Sequence, residues 1–273
     1  MIKKIKIGFI GGGNMAEALI AALLRKKIYA IKQIGVSEPN KDRIKFLKKK
    51  YGIVSFSSNQ ELAEASSILL LAVKPQHMTE VLEDLQPSLN KNHLLISIAA
   101  GLDTSYFFKK ISPTTRFIRV MPNACALIGE GAAALYASPS STAADRQTAL
   151  KIFQAAGQAL FVSDESLLDV VTAVSGSGPA FVYLFAEALI HAAQKRGLSA
   201  TQARSLVVQT ILGSGRMMEK TNEEPQSLIQ KVASKGGTTE AGLTILTEGH
   251  FKDLIDKTIE KATHRARELR CIS

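Results

Sequence analysis

Along the first half of the chain, short apolar runs alternate with segments whose apolar residues return every three or four positions. IKIGFI (5–10), QIGVS (33–37), GIVSF (52–56), SILLLAV (67–73), HLLISIAA (93–100) and RFIRV (116–120) have the length and β-branched content of buried strands. Between them AEALIAALLRKK (16–27), KDRIKFLKKK (41–50) and MTEVLEDL (78–85) carry the 3.6-residue period of amphipathic helices. This alternation predicts an α/β Rossmann-type domain, a mostly parallel sheet with helices on both faces. A further strand pair is expected at GAAALYAS (131–138) and QALFVS (158–163), flanking a helical ADRQTALKIFQAAG (144–157).

From Asp164 the strand-like runs stop. DESLLDVVTAVS (164–175), PAFVYLFAEALIHAAQKRG (179–197), TQARSLVVQTILGSGRMMEK (201–220) and FKDLIDKTIEKATHRARELR (251–270) all read as helices. Gly197 and Gly249 stand at expected helix stops, with Ser199 and Thr201 as candidate caps. The pattern divides the chain into residues 1–163, a dinucleotide-binding domain, and 164–273, an all-α domain. SGSGPA (175–180) reads as the turn between two helices, its small residues also permitting close helix packing.

With 46% hydrophobic residues the chain has material for a large core. Its formal charge of +10 is spread over helix-like stretches, without tryptophan or a zinc-knuckle motif, so no nucleic acid is expected as a partner. Of two cysteines, Cys125 and Cys271, neither has metal-ligand spacing around it, which argues against a metal or a disulfide framework and for a reducing cytoplasm. No apolar stretch reaches the ~18 residues of a membrane span, because Glu187 interrupts the longest one, Pro179 to Ile190. No membrane segment is expected.

The first loop is the clearest chemical signal. IKIGFIGGGNMAEALI places Gly11, Gly13 and Ala16 in G-x-G-x-x-A spacing between a strand and a helix. In a βαβ unit that spacing gives a tight turn, a close backbone approach to a pyrophosphate, and helix-on-strand packing. The alternative is a merely structural turn. After the second strand, VSEPNKDR carries conflicting signals. Glu38 suits the ribose hydroxyls of NAD, whereas Ser37, Asn40, Lys41 and Arg43 suit the extra phosphate of NADP. AVKP (72–75), IAAG (98–101) and VMPN (120–123) each follow a strand and would line the same crevice, with Lys74 and Asn123 offering a cation and an amide.

GFIGGGNMAEALI, LLAVKPQ, SIAAG, VMPN, AVSGSGPAFVY and ASKGGTTEAGL occur in this order over essentially the whole chain. Together they resemble pyrroline-5-carboxylate reductase, which makes proline with a reduced nicotinamide cofactor. The last two segments are the specific ones. The resemblance implies a Rossmann domain followed by an all-α dimerisation domain, a homodimer or a larger assembly of dimers, and an active site near the subunit interface. It implies NADPH as cofactor, with NADH possible. It assigns Gly11, Gly12, Gly13, Asn14, Met15, Ala16, Asn59, Ala72, Val73, Lys74, Pro75, Ala99 and Ala100 to the cofactor, and Asn123 to the vicinity of the nicotinamide; Ser37 and Glu38 join the cofactor site from their place at the end of the second strand. Ser234, Gly237, Thr238 and Thr239 would meet the small-molecule substrate. Lys235 stands where family members usually have proline, and Ala124 where they often have threonine.

The substrate implied is a cyclic imine bearing a carboxylate. GGTT ahead of a helix offers backbone N–H groups and a positive helix end to such an anion. Thr238 and Thr239 either cap that helix or point a hydroxyl at substrate, and Glu240 sits in its first turn, where negative charge is favourable. Thr239 is the candidate catalytic residue, hydrogen-bonding the ring nitrogen or relaying a proton from water. Among the histidines only His77 falls near the expected crevice, and that scarcity of general bases fits imine reduction better than alcohol oxidation. The alternatives are another two-domain reductase or hydroxy-acid dehydrogenase, and a catalytically silent nucleotide sensor.

Overall fold

The computed structural model describes residues 5–272; residues 1–4 and 273, and the side chains of Cys271 and Ile272, lie outside that description. The predicted strands form one eight-stranded sheet in the order β3-β2-β1-β4-β5-β6-β7-β8. They are β1 (Ile5–Ile10), β2 (Ile34–Ser37), β3 (Val54–Phe56), β4 (Ser66–Leu71), β5 (Leu94–Ser97), β6 (Arg116–Met121), β7 (Gly131–Ala137) and β8 (Gly157–Phe161). All neighbours are parallel except β6 and β7, which pair antiparallel.

Side chains alternate across this sheet with period two and so build two cores. Ile7, Phe9, Ile68, Leu70, Leu94, Ile96, Ile118 and Val120 face one side, where they pack with α1 (Asn14–Arg25), Leu47 of α2 (Lys41–Tyr51) and α6 (Ala143–Gln154). Ile10, Leu69, Leu71, Leu95 and Phe117 face the other, against α3 (Asn59–Ala65), α4 (Met78–Leu85) and Phe107 of α5 (Thr104–Phe108). The expected α/β sandwich is therefore present. The short helices α3 and α5 were not predicted, because five to seven residues carry too little periodicity to register. Their caps are visible only in retrospect, as Ser58 accepting from Glu61 N and Asp103 from Tyr106 N.

The chain divides into two compact units, one made of residues up to Ser177 together with Ala262 onward, the other of Gly178–Lys261. The second is all helix, with α8 (Gly178–Gln194), α9 (Ala200–Thr221), α10 (Pro225–Val232), α11 (Thr238–Glu248) and most of α12 (Phe251–Ile272). Ser199 caps α9 in a reciprocal pair with Gln202, and Gly249 ends α11, both as expected. Thr201 lies inside α9 instead. Helix α10 was not foreseen. The last turns of α12 return to the first unit, where Arg270 meets Asp169 at 3.4 Å.

SGSGPA does not turn one helix into another. Helix α7 (Leu167–Val171) runs through a single π-helical stretch, Thr172–Gly176, directly into α8. Pro179 cannot donate an N–H to the carbonyl of Ser175, four residues back. The wide turn leaves that carbonyl to accept from Asn123 Nδ2 at 3.0 Å, so the helix continues past the proline. This continuity also revises the expectation about membrane-length segments. The joined run Leu167–Gln194 is long and apolar enough, by length and composition alone, to cross a membrane.

Candidate functional site

Gly11, at the end of β1, has φ +94°, and a Cβ there would lie 2.8 Å from Ala72 O. This is the residue that demands glycine for the tight turn. Gly13 differs. It is the N-cap of α1 in an extended conformation, no side chain caps the helix, and a Cβ there would meet nothing within 4 Å. The first turn of α1 thus presents unpaired N–H groups and the positive end of the helix dipole to an open space, the arrangement that holds a phosphate.

That space is a crevice of about 680 Å³ at the carboxyl ends of β1 to β4. Its position matches the sheet's switch point, since the strand order runs outward in opposite directions from the β1–β4 pair. Gly11, Gly13, Ser37, Glu38, Asn59, Ala72, Val73 and Lys74 all line it, together with His77, Glu80 and Asp84. Asn59 donates from Nδ2 to Asp84 Oδ2 at 2.9 Å, tying α3 to α4 beneath the crevice. Pro75 follows Lys74 as the first residue of a 3-10 turn. Ala99, buried, and Ala100, exposed, lie at the end of β5 and are not part of the crevice wall. Asn123 is 8% exposed, and both ends of its amide are used within the protein, Nδ2 on Ser175 O and Oδ1 accepting from Ala132 N, each at 3.0 Å. Cys125 is a free thiol. Among the described residues no group of three or more His, Cys, Asp or Glu side chains could hold a metal ion.

The β2–α2 turn carries a charged network that sequence motifs did not reveal. Glu38 Oε2 accepts from Gly12 N at 2.7 Å and Oε1 from Asn40 N at 2.9 Å. Arg43 donates from Nε to Gly12 O at 2.5 Å and from Nη2 to Gly13 O at 3.3 Å and Glu17 Oε2 at 2.5 Å. Lys50 and Tyr51 complete the set on Glu17 Oε1, at 2.8 and 2.9 Å. Burial alone pushes the Glu17 carboxyl up, but hydrogen bonds from Lys50, Arg43 and Tyr51 and the Arg43 charge outweigh it, so its pKa lies below the usual value. Of the groups predicted for a 2′-phosphate, Arg43 is thus turned into the glycine loop. The Asn40 side chain caps α2 by accepting from Asp42 N and Arg43 N, both at 3.0 Å. Only spatial proximity, not spacing, joins Glu17 to Arg43, Lys50 and Tyr51, which is why the pattern escaped detection.

In the helical unit, Gly237 is the N-cap of α11 and no side chain caps the helix, so neither Thr238 nor Thr239 has the capping role that spacing allowed. Two of the N–H groups in the turn are already used, Gly236 N on Glu240 Oε2 at 2.6 Å and Gly237 N on Ser234 O at 3.0 Å. A Cβ at Gly237 would lie 2.5 Å from Ser234 Oγ and 3.0 Å from Ser234 O, so a larger residue there would have to displace the Ser234 hydroxyl. The N–H groups of Thr238 and Thr239, in the first turn of α11, have no intrahelical partner. Ser234, Lys235 and Thr238 are exposed. Thr239 is half-buried and borders an apolar cavity of about 630 Å³ with Thr210, Gly213 and Met217 of α9, Leu228 and Val232 of α10, and Leu243.

Around this turn the helical unit is unusually apolar outside. None of the 17 residues of α8 is buried, and Leu184, Phe185, Leu212 and Leu254 are all at least 45% exposed. A helix apolar on every side and uncovered on its own chain calls for a partner surface.

Residues 165–269 match the family model for pyrroline-5-carboxylate reductase dimerisation, and residues 6–101 match that for NADP oxidoreductase, coenzyme F420-dependent. The chain is 41% identical to a pyrroline-5-carboxylate reductase of Synechocystis sp., with 97% of this chain and 98% of that protein covered. Its fold superposes on a pyrroline-5-carboxylate reductase structure from Coxiella burnetii with a TM-score of 0.93 at 35% identity, covering 97% of this chain and 98% of the other. A Plasmodium falciparum pyrroline carboxylate reductase solved with NADP bound gives a TM-score of 0.86 at 34% identity, covering 98% and 99%.

Proposed function

The chain belongs to the pyrroline-5-carboxylate reductase family, and on that premise we propose that it reduces 1-pyrroline-5-carboxylate to L-proline with NAD(P)H, the last step of proline biosynthesis. The observation that carries this reading is one chain holding both a dinucleotide crevice at the sheet's switch point and the GGTT turn of a helical unit matched by the family's dimerisation model. NAD(P)H, when bound, supplies the hydride that adds to the imine carbon, while the ring nitrogen gains a proton.

The chain's own residues then have separable tasks. The open N-terminus of α1, with Gly11 to Ala16, receives the pyrophosphate. Ser37 and Glu38 take the adenosine ribose, Asn59 and Ala72 to Pro75 form the walls, and Ala99 and Ala100, outside that wall, would meet the cofactor only where it extends past the crevice toward β5. Asn123, whose amide bridges Ser175 and Ala132, shapes the region beside the nicotinamide by fixing backbone. The free N–H groups of Thr238 and Thr239, with Ser234 and Gly237 framing the turn, receive the substrate carboxylate at the positive end of α11. The Thr239 hydroxyl hydrogen-bonds the ring nitrogen and orients it for protonation, a positioned donor at the atom where charge changes. The helical units associate through the apolar faces of α8, α9 and α12, giving a homodimer, and the enzyme works in the cytoplasm.

The test is imine-dependent oxidation of NADH and NADPH by the purified protein, with proline measured as product. Turnover that yields proline supports the reading. Cofactor oxidation with a 2-oxo acid but not with the imine would place the chain among the hydroxy-acid dehydrogenases instead.

A further inference from the structure

The adenosine end of the crevice is built around an acid that is not free to move. Glu38 directly follows β2, lines the crevice and is held at both oxygens by backbone N–H groups, Gly12 at 2.7 Å and Asn40 at 2.9 Å. In sheets of this kind the residue at that position meets the ribose 2′-hydroxyl, where an acid suits NAD and a nearby arginine accommodates the 2′-phosphate of NADP. Here the nearby arginine is occupied. Arg43 grips the carbonyls of Gly12 and Gly13 and is held from behind by Glu17, itself fixed by Lys50 and Tyr51.

Opposite charges from one turn therefore hold both ends of the Gly12 unit, Glu38 on its N–H and Arg43 on its C=O. Moving the carboxylate aside would take from the buried Gly12 N–H its present acceptor, and turning Arg43 outward would cost Glu17 one of its three partners, leaving Lys50 and Tyr51. Asn40 is spent capping α2. Lys41 is exposed and does not line the crevice, and the lysine that does, Lys74, follows β4 on the other wall.

We propose that Glu38, locked by the Gly12 and Asn40 amides while Glu17 sequesters Arg43, makes this chain select a dinucleotide with a free ribose 2′-hydroxyl, NADH, over its 2′-phosphorylated form. The proposal rests on the crevice being the dinucleotide site, but not on the identity of the substrate reduced there. A phosphate dianion set against a fixed carboxylate weakens binding by about tenfold or more, the scale of a like-charge juxtaposition.

The full-length protein is titrated with NADH and NADPH, following nicotinamide fluorescence, and with 5′-AMP and 2′,5′-ADP by calorimetry. The wild type is expected to bind NADH and 5′-AMP at least about tenfold more tightly than their 2′-phosphorylated counterparts. In Glu38→Gln and Glu38→Ser that ratio should shrink by a similar factor, chiefly through tighter NADPH binding. Glu17→Gln, which removes the opposite charge on Arg43 and leaves the Gly12 and Gly13 carbonyls as its acceptors, should shift it in the same direction to a smaller extent. NADPH binding as tightly as NADH in the wild type overturns the proposal without any variant. An unchanged ratio in a Glu38 variant with native circular dichroism removes Glu38 from the ribose. Binding of none of the four nucleotides sinks the crevice reading and the proposal together. Clear NADH selectivity with no reduction of the imine leaves this proposal standing and overturns the proposed function.

Discussion

Replacing Gly13 by valine separates the structural from the binding role of the glycine loop. Gly13 has φ −65° and ψ −174°, a conformation open to any residue, and its added Cβ meets no atom within 4 Å. The folded protein should lose at most about 1 kcal/mol. A dinucleotide pyrophosphate, by contrast, needs the space that the isopropyl group would fill. Losing two charge-assisted hydrogen bonds to backbone, at about 1.5–3 kcal/mol each, weakens binding by about 3–6 kcal/mol, or roughly 10²- to 10⁴-fold. Gly11→Ala is the contrasting variant. Its backbone sits at φ +94° and its Cβ would press on Ala72 O at 2.8 Å, so it should destabilise the fold by about 2–4 kcal/mol. Thermal melts and NADH titrations of both variants make the comparison. A Gly13→Val protein that melts like the wild type and binds NADH within about threefold of it would refute the assignment of α1's N-terminus to the pyrophosphate.

Thr239→Val keeps the β-branched shape and removes the hydroxyl, so kcat should fall by about 10- to 1000-fold with cofactor affinity unchanged. Thr238→Val, which removes no cap in this structure, should leave both stability and kcat close to wild type, and equal losses in the two variants would deny Thr239 a special role. Leu184→Glu puts a charge on the exposed apolar face of α8 and should convert a sedimenting dimer to a monomer at micromolar concentration; an unaltered dimer would move the interface elsewhere. Because the folded-state pKa of Glu17 is depressed, its contribution to stability is complete above the ordinary value of 4.5 and is lost as pH falls through the lower folded value. Melting temperature below pH 4.5 should therefore fall more steeply for the wild type than for Glu17→Gln, and parallel curves would contradict the network.

What could be read from sequence was whatever repeats locally. The Ile, Val and Leu runs of β1, β4 and β6 announce themselves through buried alternation, and Gly11 and Gly13 through their place between a strand and a helix. The helix stop at Gly249 and the Ser199 cap are equally local. What escaped depends on neighbours distant in sequence. The grip of Glu38 and Arg43 on Gly12 joins residues 26 and 31 positions apart. The π-helical passage through SGSGPA is stabilised by Asn123, 52 residues from Ser175. Lacking that partner, a stretch of Ser, Gly and Pro reads as a break. The glycines and threonines at 236–239 were legible as a turn before a helix, but which N–H groups remain free depends on Glu240 and Ser234 folding back upon it.

The measurement that bears most directly on the central claim is the fate of the transferred hydride. The protein is supplied with 1-pyrroline-5-carboxylate and a reduced nicotinamide cofactor carrying deuterium at both positions of the reactive carbon, and the proline formed is analysed by mass spectrometry and NMR. The account predicts L-proline carrying a single deuterium, at the former imine carbon. Proline without deuterium, or no proline from protein shown to bind the cofactor, would contradict it.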